Sequence, residues 1–432
     1  SVQNFKTFKE RATLSLVASN YDKETRENDN ISNDNLRLLK SAVIYGANAS
    51  GKSKFIEAFQ FMRRFVVNSS KDTQKGEKIP VEPFRLSSES ETKPSEFEVV
   101  FTIKKELFRY GFEVDNNIIV AEWLYHKPKT KETELFYREL QGFETHPKKM
   151  LKGAALVKQD LIRNNALFLS VASQFNEESA STVLSWFQKL NFISGLDERE
   201  YKNNTISKVK KSESKSRVLE LLKVADLGIK DINYIEDLFE GHSQEIKEQI
   251  KKLKETMKDV DSEIFSDIST SHTKFDDKKK KIGETTFSMN SDESNGTQKF
   301  FYLTGPIIDA LDNGGIIIAD ELDSKIHPNL VCKIVSLFNS KMLNPKNAQL
   351  IFNTHDTNLL SSGLFRKDQI WFTEKDKYGE AKLYSLADFK SDTVRKNEAF
   401  EDNYIRGKYG AVPFLGFFDN LIHKNLLPQD EK

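Results

Sequence analysis

The sequence predicts an α/β fold. A strand, a phosphate-binding loop and a helix lie near the N-terminus, short apolar strands fill the C-terminal third, and a mainly helical segment is inserted between them. Three observations carry this. Gly46-Ala47-Asn48-Ala49-Ser50-Gly51-Lys52-Ser53 fits the pattern G-x-x-x-x-G-K-S/T. Isolated apolar runs such as Ile316-Ile317-Ile318 and Leu350-Ile351-Phe352 end in polar tips. Between residues 126 and 288 alternation gives way to helical spacing and charge.

The phosphate loop has the required flanks. Ser41-Ala42-Val43-Ile44-Tyr45 reads as a buried strand, and Phe55, Ile56, Phe59, Met62 and Val66 recur at helical spacing after the loop. Such a unit aims a helix N-terminus at an anion. The loop amides of Gly46 to Ser53 wrap phosphates, Lys52 reaches the β and γ oxygens, and the Ser53 hydroxyl holds magnesium.

The other elements follow in order. Residues 1–16 read as a strand hairpin, with Val2, Phe5, Phe8, Leu14 and Leu16 as its apolar positions. Residues 22–35 form a polar loop. Phe97, Val99, Phe101 and Ile103 alternate, as do Phe108, Tyr110 and Phe112, and residues 118–125 add a further strand. Within the insert, Ile246, Ile250, Leu253, Met257, Val260 and Ile264 trace a coiled-coil-like seam of under three heptads, suited to a helical hairpin or a subunit contact. Residues 267–275 and 282–289 read as a hairpin turned at Asp276, Asp277 and four lysines. The strand texture then returns at residues 315–319, 349–352 and 369–372. The expected domains are 1–125 and 289–395 for the two parts of the head, 126–288 for the insert and 396–432 for a tail.

Bulk properties narrow the function. Among 432 residues, Lys+Arg and Asp+Glu both total 65, so no global basic field draws in nucleic acid. Any such contact would be local. Residues 202–217 hold six basic residues against one acidic, with Lys208, Lys210, Lys211, Lys215 and Arg217 at their centre. This run reads either as a solvated loop or as a grip for RNA, DNA or an acidic protein. The single cysteine, Cys332, rules out an internal disulfide framework, fits a reducing cytoplasm and is expected in a helix core. No apolar run reaches the roughly 18 residues that span a bilayer, so no membrane partner surface is expected. The chain opens on Ser1, from which loss of a few N-terminal residues is expected.

A phosphate loop alone leaves kinases, GTPases and many ATPases open, and the C-terminal third narrows this. Asp320 and Glu321 follow an apolar strand. An acid at that exit holds magnesium together with Ser53, and the next acid orients and deprotonates an attacking water. His355 follows a second apolar strand and is placed to bond the γ-phosphate. Ser294 and Gly296 precede a helical stretch and make a second anion site. One nucleotide does not need two such loops from one chain, so this loop is expected to close on the nucleotide of a second copy with two-fold symmetry.

Together these motifs resemble the ABC-type ATPase head, the group that includes SMC proteins. Residues 46–53 match Walker A, 294–298 look like the signature loop, 316–321 match Walker B, Leu322-Asp323 resemble the D-loop, and His355 resembles the switch histidine. Gln3-Asn4-Phe5-Lys6-Thr7-Phe8 looks like the opening hairpin of SMC-like heads, whose residues approach the base. A closer resemblance covers nearly the whole chain. The segments 321–328, 353–360 and 368–372, and the tail Tyr404-Ile405-Arg406-Gly407-Lys408-Tyr409-Gly410-Ala411-Val412-Pro413-Phe414-Leu415, are similar to bacterial "AAA family" ATPases of the RloA/AbiL type. These sit in anti-phage abortive-infection operons, and the ATPase of the PARIS system looks related. The resemblance implies Mg2+ and ATP as cofactors. It implies a homodimer or higher oligomer, a nuclease or toxin effector of possible TOPRIM type, and a phage trigger protein. The alternative is an SMC-like DNA-repair or DNA-structuring ATPase, though a long-armed one needs far more heptads than this insert shows. A transporter ATPase is a third reading, for which the chain offers no coupling segment.

Overall fold

The computed structural model describes residues 1–20, 26–33, 36–72, 74–225, 227–235, 267–389 and 399–413. The heptad stripe from Ile246 to Ile264 lies outside the described residues. The chain divides into two compact units. The first takes residues 1–15, 44–184 and 367–432, and the second takes residues 16–43 and 185–366.

Alternating aromatics build the first unit. Strands Val2–Gln3, Ser95–Ile103, Glu106–Val114, Ile119–Lys127, Thr133–Glu139 and Gly142–Thr145 form one antiparallel sheet in that order. With a period of two, Phe97, Phe101, Phe108, Tyr110 and Phe112 all face inward and are buried. Helix Lys52–Asn68 packs on them, with Phe61 ring to ring with Phe97 at 5.0 Å and Phe65 with Phe112 at 5.6 Å. The expected N-terminal hairpin is present in short form. Val2 pairs with Phe97, and single bridges join Val2 to Ala12 and Phe5 to Phe8. Helix Phe168–Gln174 begins at Leu167, which offers no capping side chain. Its first amides instead donate to the fully buried Glu122 carboxylate, at 2.6 Å from Phe168 and 2.9 Å from Leu169, while Tyr110 adds its hydroxyl at 3.0 Å. Burial pushes the Glu122 carboxyl up, and Arg138 at 3.7 Å opposes that shift.

In the second unit, strands Leu190–Ser194, Ile316–Asp320 and Gln349–Asn353 run parallel in that order. Helix Asn295–Asn313 contributes Phe300, Phe301, Leu303 and Ile307 to the core, and helix Pro328–Asn339 contributes Val331, Ile334, Val335 and Phe338. Pro328 takes the first helical position, where its missing N–H costs nothing. Pro306 stands inside its helix and cannot donate to Tyr302 four residues earlier. The Thr205 hydroxyl bonds that orphaned carbonyl and accepts the Gly305 amide at 3.0 Å. Strands Ile229–Ile235, Asp267–Phe275 and Lys281–Ser288 form a separate antiparallel sheet. Its second hairpin turns on Asp276, whose carboxylate accepts the amides of Lys278 and Lys280.

Along the chain, the two units divide at 15/16, 43/44, 184/185 and 366/367. Two expectations are corrected here. The expected helices of residues 126–288 are present at Leu151–Lys158, Phe168–Gln174, Glu178–Gln188, Arg199–Val209 and Ser212–Val224, but the same stretch supplies strands as well. Leu190–Ser194 is one of them, and it is the parallel neighbour of Ile316–Asp320. Cys332 sits on a helix as expected, yet it is half-buried and not in the core.

Candidate nucleotide site

The phosphate loop belongs wholly to the first unit. Strand Ser41–Tyr45 is buried throughout, so it delivers the chain to Gly46 along a fixed line. Gly46 has φ 154°, and a Cβ there would lie 2.4 Å from the Thr373 carbonyl oxygen and 2.5 Å from Ser50 Oγ. No side chain fits. Gly51 ends the loop at φ 117°, and helix Lys52–Asn68 starts directly after it. The first-turn amides of that helix have no intrahelical acceptors and point into the loop. Ala47 is half-buried, whereas Asn48 and Ala49 are exposed at the loop tip. Lys52 is buried and donates to the carbonyls of Gly46 at 2.6 Å and Ala47 at 3.1 Å. Its ammonium thus lies inside the curve of the loop. Ser50 Oγ shares a hydrogen bond with Thr373 Oγ1 at 2.7 Å, which pins the loop to strand Ile370–Lys375.

Two flanking segments reach this loop. The N-terminal turn brings Thr7 Oγ1 and a Phe8 ring carbon each to 3.3 Å of the position a Gly51 Cβ would take. The tail segment comes from the other end of the chain. Tyr404, on helix Phe400–Ile405, stacks near Tyr45 at 5.6 Å and Phe372 at 5.4 Å. Its hydroxyl donates to Ala411 O at 3.1 Å. Burial lifts that phenol to about 12, and a backbone bond from Gly46 opposes the rise. Tyr384 in turn donates to the Tyr409 carbonyl at 2.8 Å. The tail motif therefore buttresses the first glycine of the phosphate loop. Tyr404→Phe keeps the ring and loses the hydroxyl bonds, so it should cost about 1 kcal/mol. Urea unfolding should show a lower midpoint at an unchanged m value. A midpoint equal to the parent's would remove the tail from the support of the loop.

The acidic and histidine motifs belong to the second unit. Strand Ile316–Asp320 is buried through Ile317, Ile318 and Ala319 and surfaces at Asp320. Asn353, fully buried at the end of the next strand, ties the exit down. Its amide donates to Asp320 Oδ1, and its carbonyl oxygen accepts the Glu321 amide. Glu321 has φ 54°, the left-handed region that costs a non-glycine residue about 1–2 kcal/mol. Asp323 Oδ2 accepts the His355 amide at 3.1 Å, so the histidine's backbone is fixed to the turn after the acidic strand while its ring is exposed. Ser294 caps helix Asn295–Asn313, accepting the Thr297 amide at 3.1 Å. A Cβ on Gly296 would lie 2.8 Å from the Lys325 carbonyl oxygen, which explains the glycine at that position. The structure thus gathers Asp320, Glu321, Asp323, His355 and the Ser294–Gly296 loop around connected turns of one unit.

The loop fits the phosphates of a nucleotide: it is bounded by glycines, holds a buried lysine and is followed by the first-turn amides of a helix. Within the same unit, the Ser53 hydroxyl is the side chain that would serve a nucleotide-bound magnesium. Sequence reasoning assigned no role to Thr373, Tyr404 or Asn353. Asn353 and Tyr404 stood in the motifs quoted for His355 and for the tail, and Thr373 carries no local pattern. In the basic stretch, four of the five residues named above have partners within the fold. Lys208 bonds Asp309, Lys215 reaches Asp231 at 3.0 Å, Arg217 bonds Asp312, and Lys210 lies over the Tyr234 ring.

A strand–loop–helix of this geometry, set in an α/β fold with an acid-tipped parallel strand, defines the P-loop nucleotide-binding class. Within that class, the chain belongs to the family described as "AAA domain, putative AbiEii toxin, Type IV TA system", whose model matches residues 41–361. No match was found among curated proteins. Similar solved structures include the SMC head domain from Thermotoga maritima, at 13% identity over 89% of this chain and 96% of that one, with a TM-score of 0.40. Others are an SMC head with an extended coiled coil, bound to the C-terminal domain of ScpA, from Pyrococcus furiosus (14%, 81% and 91%, TM-score 0.27), and an SMC head with a coiled coil and joint from Pyrococcus yayanosii (10%, 89% and 96%, TM-score 0.31). All three are distant. Among the described residues, no helix is long and apolar enough to cross a membrane.

Proposed function

We propose that this chain is a Mg-ATP-dependent ATPase that regulates a toxic partner in a bacterial anti-phage system, working in the cytoplasm as a dimer or larger assembly of its own copies. The observation that carries the ATPase reading is the Gly46–Ser53 loop, with its two glycines at positive φ and Lys52 bonded inside its curve. Lys52 and the loop amides neutralise the phosphates. Ser53 and Asp320 would hold magnesium, which would supply charge neutralisation at the transferred phosphoryl group. Glu321 accepts a proton from the attacking water, and His355 steadies the γ-phosphate. Ser294 and Gly296 cap the nucleotide of a second copy. Positioning and electrostatics suffice for this reaction.

The words "toxin" and "Type IV TA system" in the family's description support the defence setting. The partner we propose is a nuclease-type effector, released or armed when a phage protein alters the ATP-bound assembly. The test is co-purification from the native host with and without infection. A nuclease recovered from uninfected cells and lost on infection supports the reading. Recovery of a membrane permease, or of duplex DNA bound in a salt-sensitive manner, would replace it.

A further inference from the structure

We infer that Lys299 is a positioning residue for hydrolysis, holding the Glu321 backbone so that its carboxylate addresses the attacking water. This rests on the reading of Glu321 as the general base.

Lys299 lies on helix Asn295–Asn313, within the first turns after the Ser294 cap, and its side chain is fully buried. Burying an ammonium costs several kcal/mol unless it is well compensated. A methionine or leucine would fill the same space without that penalty. Here compensation comes from backbone dipoles. The amine donates to Gly195 O at 2.9 Å, to Glu321 O at 3.4 Å and to Ser324 O. Glu198, Asp323 and Glu321 add favourable charge and Lys325 opposes it, but burial dominates and brings the amine down to about 8. All its bonds end on two turns, the one after strand Leu190–Ser194 and the one after strand Ile316–Asp320.

Those turns hold the strained residue. Glu321 at φ 54° keeps its conformation only if the surroundings fix it. Asn353 takes its amide and Lys299 takes its carbonyl, so both peptide groups are tied. Gly195 closes the remaining side. Its amide donates to Asp320 O at 2.6 Å, and a Cβ there would fall 1.8 Å from Glu321 O. Lys299 is also the rigid link from the Ser294–Gly296 loop to Glu321. A loop that closes on a second copy's nucleotide is thereby joined, through the start of one helix, to the residue that activates water.

The experiment uses the full chain and four variants: Lys299→Met, Lys299→Arg, Glu321→Gln and the Lys299→Met/Glu321→Gln double variant. ATP affinity, kcat and KM are measured for each. Lys299→Met should lower kcat by about 10- to 100-fold, the scale of a misplacement near 1 Å, with ATP affinity within about threefold of the parent. Added to Glu321→Gln it should cost nothing further, because both changes remove one function. If Lys299→Met does not fold, Lys299→Arg carries the test. It keeps the charge but replaces three rotating donors with a flat fork, so kcat should fall while affinity holds. Parental kcat in the folded Lys299 variant, or loss of affinity equal to the loss of kcat, overturns the inference. Full hydrolysis by Glu321→Gln would instead sink the assignment of the base, whatever the Lys299 variants do.

Discussion

Lys52→Ala is expected to abolish measurable ATP binding. The side chain does two things that alanine cannot. It carries the one charge inside the loop, and it donates to the Gly46 and Ala47 carbonyls at 2.6 and 3.1 Å. With nucleotide bound, those donors turn to phosphate oxygens and become charge-assisted bonds, each worth about 1.5–3 kcal/mol. Losing two such bonds weakens binding by at least about 100-fold. The flanking anchors survive the change, because Ser50 remains bonded to Thr373 and Gly46 stays packed in its groove. The protein should therefore stay folded while calorimetry shows no heat of ATP binding. A dissociation constant within about threefold of the parent would remove the phosphate loop from the function. Lys52→Arg is not a rescue, since a planar guanidinium does not fit the curve that holds an ammonium.

The phosphate loop was legible because its chemistry is local. Six consecutive loop residues and one lysine must sit within a single turn, so spacing along the chain reports spacing in the fold. The placement of Asp320, Glu321 and His355 at or just past the ends of apolar strands was legible for a related reason: a polar tip on such a strand is a local pattern too. Leu190–Ser194 escaped because Asn191 and Lys189 break its apolar run, and because parallel pairing with Ile316–Asp320 depends on residues more than a hundred positions away. Glu122 shows the same limit. A carboxylate in the middle of a strand reads as solvent-facing, yet it is buried to cap a helix that begins at Leu167 without a capping side chain of its own. Lys299 follows Gln298 with no pattern of its own. Its role depends on three carbonyls from two separate turns, and no periodicity encodes that. Tertiary partners, not propensity, decided each of these cases.

Glu321→Gln is expected to lower hydrolysis by about 10²–10⁴-fold, the usual contribution of a positioned base, while leaving ATP binding intact. Glutamine matches glutamate in shape. The backbone bond from the Glu321 amide to Asn353 and the contact of its carbonyl with Lys299 both persist, so the strained turn keeps its form. What disappears is the capacity to take a proton from water. Asp320 still has its bond from Asn353 and remains available for magnesium. An ATP-loaded state that forms normally and cannot discharge must accumulate. If the Ser294–Gly296 loop caps the nucleotide of a second copy, that accumulated state is a dimer with two trapped nucleotides, and light scattering with ATP and magnesium should report twice the chain mass. Without nucleotide, or in the Lys52→Ala background, the same protein should return to the mass of the apo form. A Glu321→Gln chain that turns over at the parental rate would remove the assigned base. One that retains ATP at an unchanged mass would keep the base and discard the cap from a second copy, because the two roles depend on different loops of the same unit.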